Sequence, residues 1–93
     1  MLMKNTKVCI LAGGIGPGEY LLLEKYAKDG CRIALMDKNK VIGQRVKQEL
    51  ESKYRVSVFF FHGDKESEED RDLFLNAVQE MYGRTDYFIC KND

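Results

Sequence analysis

The sequence predicts an α/β fold built on a parallel, doubly wound sheet. Three observations lead there. Four short apolar runs have strand length, the stretches between them carry apolar residues at helical spacing, and a glycine-rich turn directly follows the first run. Strands that read as continuous apolar runs are buried on both faces, and parallel neighbours need the long crossovers that the helical stretches supply.

Taken in order, Val8 to Ala12 is the first strand, and LLLEKYA from Leu21 to Ala27 begins a helix that Gly30 can terminate. CRIALM, Cys31 to Met36, is a second strand ending at Asp37. In VIGQRVKQELESKY, residues Val41, Ile42, Val46 and Leu50 fall on one helical face, with Gly43 as a costly interior residue. VSVFFFH is β-branched and aromatic, and reads as a third strand. Ser67 and Asp70 resemble a capping box ahead of a helix whose apolar face is Leu73, Phe74, Ala77, Val78 and Met81. Gly83 stops that helix, and DYFIC from Asp86 to Cys90 is the fourth strand. Right-handed crossovers then predict a βαβαβαβ chain with strand order 3-2-1-4.

Ninety-three residues make one small domain, 1–93, which buries only roughly 60–65% of the surface of its unfolded chain. With 15 basic and 15 acidic side chains the net charge is zero, so no overall field draws nucleic acid or an anionic membrane. Glycines interrupt the first apolar stretch too early for a signal peptide or membrane span, which points to a cytoplasmic protein. Cys9, Cys31 and Cys90 are widely spaced within or beside apolar runs, as reduced core thiols are, and their spacing matches no metal site.

In an open α/β sheet, ligands bind beyond the carboxyl ends of the strands, at the switch point between the first and fourth. The loop LAGGIGPGEY falls there. Its glycines Gly13, Gly14, Gly16 and Gly18 permit a tight turn and close approach of backbone to ligand, and the helix that follows offers unpaired N–H groups to a pyrophosphate. Asp37, at the end of the second strand, can accept both hydroxyls of an adenosine ribose and would repel a 2′-phosphate, favouring NAD over NADP. Asp64, in the turn after the third strand, can accept from an adenine amino group or serve the turn itself. His62 reads as a polar strand end, and the DKESEEDRD run as a solvated helix start.

Written out, KVCILAGG, YAKDGCRIALMDKN, FFFHGDKESEED and AVQEMYGRTDYFICKND resemble the amino-terminal half of the short-chain dehydrogenase/reductases, over almost the whole chain. The resemblance implies a Rossmann-like fold, an adenine dinucleotide as ligand, and a contribution from Asn92 near the end of the fourth strand. The family's Asn-Asn-Ala-Gly motif is replaced there by Cys90-Lys91-Asn92-Asp93. Its glycine pattern aligns a first glycine with Gly13 but sets the second on Pro17 and the third on Glu19. Pro17 has no N–H to give. A carboxylate at Glu19 stabilises an empty helix N-terminus by about 0.3–1 kcal/mol. Against a pyrophosphate about 5 Å away it costs up to roughly 3 kcal/mol at an effective dielectric of about 20.

The register Gly14, Gly16, Gly18 instead resembles the first motif of S-adenosylmethionine-dependent methyltransferases, with Asp37 on the ribose and Asp64 near the adenine. Ala12 stands where those enzymes carry an acidic residue. The dehydrogenase family performs hydride transfer with a serine and a Tyr-x-x-x-Lys pair from its second half, which this sequence does not reach. Tyr87 and Lys91 match that spacing by number, but in a strand they lie about 13 Å apart, against about 6 Å along a helix. The expected protein is therefore a nucleotide-binding half-domain that is not catalytic by itself. An alternative is a module kept for dimerisation or regulation, and a third is a piece of a longer NAD-dependent oxidoreductase. The apolar fourth strand would lie at an exposed edge, which predicts a homodimer through that edge or through an exposed helical face.

Overall fold

The computed structural model describes residues 7–89. Its order is β1 (Val8–Ala12), α1 (Pro17–Lys28), β2 (Arg32–Asp37), α2 (Lys40–Tyr54), β3 (Val58–His62), α3 (Glu68–Tyr82) and β4 (Tyr87–Ile89). The four strands form one sheet in the order β3-β2-β1-β4, and every pair is parallel.

Each element follows from local chemistry. Pro17 takes the first position of α1, where its missing N–H is not needed, so the helix starts a turn earlier than Leu21. Asn39 caps α2 by accepting the Ile42 N–H at 3.1 Å. The expected cap of α3 is present, with Ser67 Oγ accepting the Asp70 N–H at 3.2 Å, and three acidic residues sit in the first turn. β4 is anchored to β1 by Asp86, whose N–H donates to Val8 O at 2.9 Å while its Oδ2 accepts the Val8 N–H at 2.8 Å.

Two apolar layers hold the sheet between helices. On one face Cys9, Leu11, Ile33, Leu35 and Val58 pack with Leu23 and Ala27 of α1 and Val46 and Leu50 of α2. On the other, Val8, Ile10, Ala34 and Met36 pack with Phe74 and Val78 of α3. Cys9 and Cys31 lie in the first layer outside any disulfide, and burial, then the Cys31 thiol, pushes Cys9 up to about 12. Cys90 lies outside the described residues.

Both outer helices depart from the apolar faces expected of them. α3 packs on the sheet through the buried Phe74 and Val78 and the half-buried Tyr82, whereas Leu73 and Met81 stay about half exposed. α2 packs through Gly43, Val46 and Leu50, leaving Val41 in solvent and Ile42 about one-third exposed. Gly43 is not a weakness tolerated in the helix: it lies against the Phe60 ring so closely that a Cβ would overlap it.

Candidate functional site

A cleft of about 230 Å³ opens at the carboxyl ends of β1, β2 and β3. It is formed by Gly13 and Gly14 after β1, Asp37 and Lys38 at the end of β2, and Asp64, Lys65 and Glu66 after β3. This volume is below the roughly 300–1,000 Å³ of pockets that enclose a drug-sized ligand, so the cleft matches one nucleoside better than a whole dinucleotide.

The glycine loop is built around Gly13. Its φ of 85° lies in the left-handed region, and a Cβ there would stand 2.6 Å from Lys65 Cβ. No larger residue fits that backbone and that contact together. The Gly13 N–H donates to Met36 O at 2.7 Å, which locks the loop onto the end of β2. Gly14 also has a positive φ, 70°.

Asp37 is the buried polar side chain of the core, 6% exposed. Oδ2 accepts the Ile15 N–H at 3.1 Å and Oδ1 accepts the Asn39 N–H at 2.8 Å. The carboxylate thus ties the β1–α1 loop to the β2–α2 turn. Each oxygen keeps lone-pair capacity for a further donor such as a ribose hydroxyl.

Asp64 has two places in the structure. It lines the cleft, and it organises its own turn: Oδ1 accepts the Glu66 N–H at 2.9 Å, its carbonyl accepts the Ser67 N–H at 3.0 Å, and its N–H donates to Asp70 Oδ2 at 2.9 Å. His62 behaves as a polar strand end, exposed, with Nε2 3.0 Å from Lys38 O.

The structure therefore brings Gly13, Gly14, Asp37 and Asp64 together around the cleft and leaves Gly16 and Gly18 out of its lining, although the Gly16 N–H donates to Gly14 O at 3.0 Å. Gly16 caps α1 and borders a different, shallow hollow with Pro17, Tyr20, Arg45 and Glu49. There the Tyr20 hydroxyl donates to Glu49 Oε2 at 3.0 Å, and desolvation followed by that bond pushes Tyr20 up to about 12. Gly18 lies exposed in the first turn of α1, where a Cβ would meet nothing. Asn92 lies outside the described residues. Lys38, Lys65 and Glu66 were not singled out by motif; their adjacency to Asp37 and Asp64 at strand ends was the available signal.

Tested against an adenine dinucleotide, the adenosine end fits and the pyrophosphate end does not. A ribose would find the Asp37 carboxylate beside an open glycine turn. The Gly16 N–H, at the positive end of α1, already donates to Glu19 Oε1 at 3.0 Å. Glu19 thus turns back onto the loop that precedes α1. Tyr87, matched by number to a catalytic tyrosine, lies in β4 with its ring stacked on Tyr26, centroids 4.6 Å apart, and serves packing. Lys91 lies outside the described residues.

Comparison with known proteins agrees with this architecture. The family model described as short chain dehydrogenase matches residues 6–91. An NAD+-bound xylitol dehydrogenase superposes with a TM-score of 0.83 at 26% identity, covering 90% of this chain and 32% of that one. The NADPH-dependent 3-quinuclidinone reductase from Rhodotorula rubra gives 0.78 at 26%, covering 92% and 32%. The L-sorbose reductase from Gluconobacter frateurii, complexed with NADPH and L-sorbose, gives 0.82 at 23%, covering 88% and 31%, a likeness of fold. The chain spans about a third of the length of these structures. No protein of curated function matches it in sequence.

Proposed function

The chain belongs to the short-chain dehydrogenase family, and from that premise we propose that it is a nucleotide-binding half-domain whose cleft takes the adenosine part of a nicotinamide dinucleotide, NAD in preference to NADP. The observation that carries this reading is Asp37: a buried carboxylate at the carboxyl end of β2, beside Gly13 and Gly14 and facing the same cleft as Asp64. A carboxylate placed there suits ribose hydroxyls and disfavours a phosphate on the 2′ position. The match over residues 6–91 favours this reading over a methyltransferase one, and the exposed Gly18 gives the methyltransferase register nothing to approach.

A bound nicotinamide dinucleotide supplies hydride-transfer chemistry. The residues that would hold its adenosine are Gly13 and Gly14, which let backbone approach closely, Asp37 at the ribose, and Asp64 near the adenine. We place no hydride-transfer role on this chain by itself, since Tyr87 is occupied in packing.

Self-association belongs to the same proposal. The two sheet edges differ. At β3, Lys47 Nζ donates to Val58 O at 3.0 Å, Glu51 Oε2 accepts the Val58 N–H at 3.4 Å, and the two side chains are paired at 2.7 Å, so a helix covers that edge. On β4, Phe88 is about half exposed, and a second copy meeting β4 would shield it.

A thermal-shift and calorimetry series with NAD, NADP, AMP and S-adenosylmethionine tests the binding reading. NAD should raise the melting temperature more than NADP, and Asp64→Asn should weaken that response. No heat and no shift with any of the four at millimolar concentration would reject it.

A further inference from the structure

Part of the loop that would meet a pyrophosphate is already engaged by the chain's own groups. A glycine loop ahead of a helix holds a phosphate through successive backbone N–H donors. Here the Gly13 N–H is spent on Met36 O at 2.7 Å, the Ile15 N–H on Asp37 Oδ2 at 3.1 Å, and the Gly16 N–H is shared between Glu19 Oε1 and Gly14 O, each at 3.0 Å. Pro17 has no N–H at all. Positions 13, 15, 16 and 17 therefore offer no donor to an incoming anion, and two of them carry a carboxylate in its place.

Asp37 and Glu19 differ in how firmly they are held. Asp37 is buried and braced from two sides by backbone donors, so it stays. Glu19 is partly exposed, on the first turn of α1, and holds the loop through the Gly16 N–H. It is the movable one.

Building on the proposed adenosine reading of the cleft, we infer that Glu19 is an internal stand-in for a phosphate, so that the site selects uncharged adenine nucleosides over nucleotides and dinucleotides. The ligand class is set by a contest for one helix end. A neutral nucleoside enters the cleft between Gly13 and Asp64 without disturbing Glu19. A diphosphate must displace the carboxylate from the Gly16 N–H and then bear its charge nearby. The cleft's size, about 230 Å³, suits the smaller ligand.

The test is a calorimetric comparison of adenosine, ADP and NAD on the wild-type chain and on Glu19→Gln and Glu19→Ala. The glutamine keeps an oxygen able to accept the Gly16 N–H, so the helix start is retained while its charge is removed; the alanine removes both. Thermal melts of all three chains establish that each is folded.

On the wild type, adenosine should bind at least as tightly as ADP. Both variants should tighten ADP and NAD by about tenfold or more, since a nearby like charge is removed, and Glu19→Ala should exceed Glu19→Gln; adenosine should change by less than about threefold. Wild-type ADP binding well ahead of adenosine, with a ratio unmoved by either variant, would overturn the Glu19 inference and leave the adenosine reading standing. No binding of any of the three ligands to any chain would reject both.

Discussion

Gly43 and Phe60 are in direct contact: α2 lies so near β3 that the Phe60 ring occupies the place a Cβ on residue 43 would take. Two effects compete in Gly43→Ala. Alanine gains about 1 kcal/mol in helix propensity over glycine, whereas overpacking a filled site costs about 1–3 kcal/mol. Phe60 is a stiff ring packed against the core layer, so overpacking should win. The expected net loss is up to about 2 kcal/mol, with a fall in melting temperature of about 4–8 °C per kcal/mol for a chain of this size. Gly43→Ala combined with Phe60→Leu should recover most of it, and a Gly43→Ala chain more stable than wild type would contradict the packing described.

Gly18 makes the opposite case. It sits exposed in the first turn of α1 and a Cβ there meets nothing. Gly18→Ala should stabilise the chain by about 0.4–1 kcal/mol by restricting the unfolded state, at unchanged adenosine affinity. Lost affinity with retained stability would return Gly18 to the binding site.

Gly13→Ala should be the most damaging of the glycine replacements. It forces a side chain into a φ of 85° and into contact with Lys65. Strain of this kind costs about 1–3 kcal/mol before any clash is counted. Both the melting temperature and the ligand response should fall together, because the loop and one wall of the cleft move with it.

How far the sequence revealed this architecture depends on the length scale of the cause. Strand order and parallel pairing were legible because buried strands read as unbroken apolar runs and crossovers have one hand. That Asp37 and Asp64 would line one cleft was legible because strand ends converge in such a sheet. The faces of α2 and α3 were less so: Val41, Leu73 and Met81 satisfy the helical period, yet the contact stripe is narrower than the apolar one. At Gly43 the partner ring is far along the chain, and no local pattern announces it. The charge of Glu19 was visible in the sequence, but the bond it makes with Gly16 depends on how the loop turns.

Acid should loosen β4 first. The hydrogen bond from the Arg84 guanidinium at 2.7 Å, then that from the Val8 N–H, hold the Asp86 carboxyl below the usual carboxylate range. A lowered folded-state value means the contribution is complete above the unfolded value of about 4 and is lost as pH falls through the folded one. Glu24 follows the same sign, lowered by the Tyr54 hydroxyl and then by Lys53. Melting temperature should hold from neutral pH down to about 4 and then drop. Asp86→Asn should lower it at neutral pH and flatten the drop, with amide exchange rising first at Tyr87 and Ile89. An acid limb unchanged in Asp86→Asn would remove this pair from the account.

Self-association gives the last prediction, and it follows from the contrast between the two edges. Lys47 and Glu51 bind both backbone groups of Val58, so a second strand meeting β3 would have to break an ion pair and two hydrogen bonds. Nothing comparable among the described residues shields Phe88, which is 49% exposed in a three-residue strand. Pairing at β4 would therefore be the easier of the two. Wild-type chain at micromolar concentration should sediment as a dimer, and its melting temperature should rise with concentration. Phe88→Lys should shift it to monomer by placing a charge on the joined edge, since edge lysines block strand addition. Lys47→Ala should leave the dimer intact while adding larger species, because it uncovers the second edge. A wild-type monomer with a concentration-independent melting curve would reject pairing at β4, and a dimer insensitive to Phe88→Lys would move the interface to a helical face.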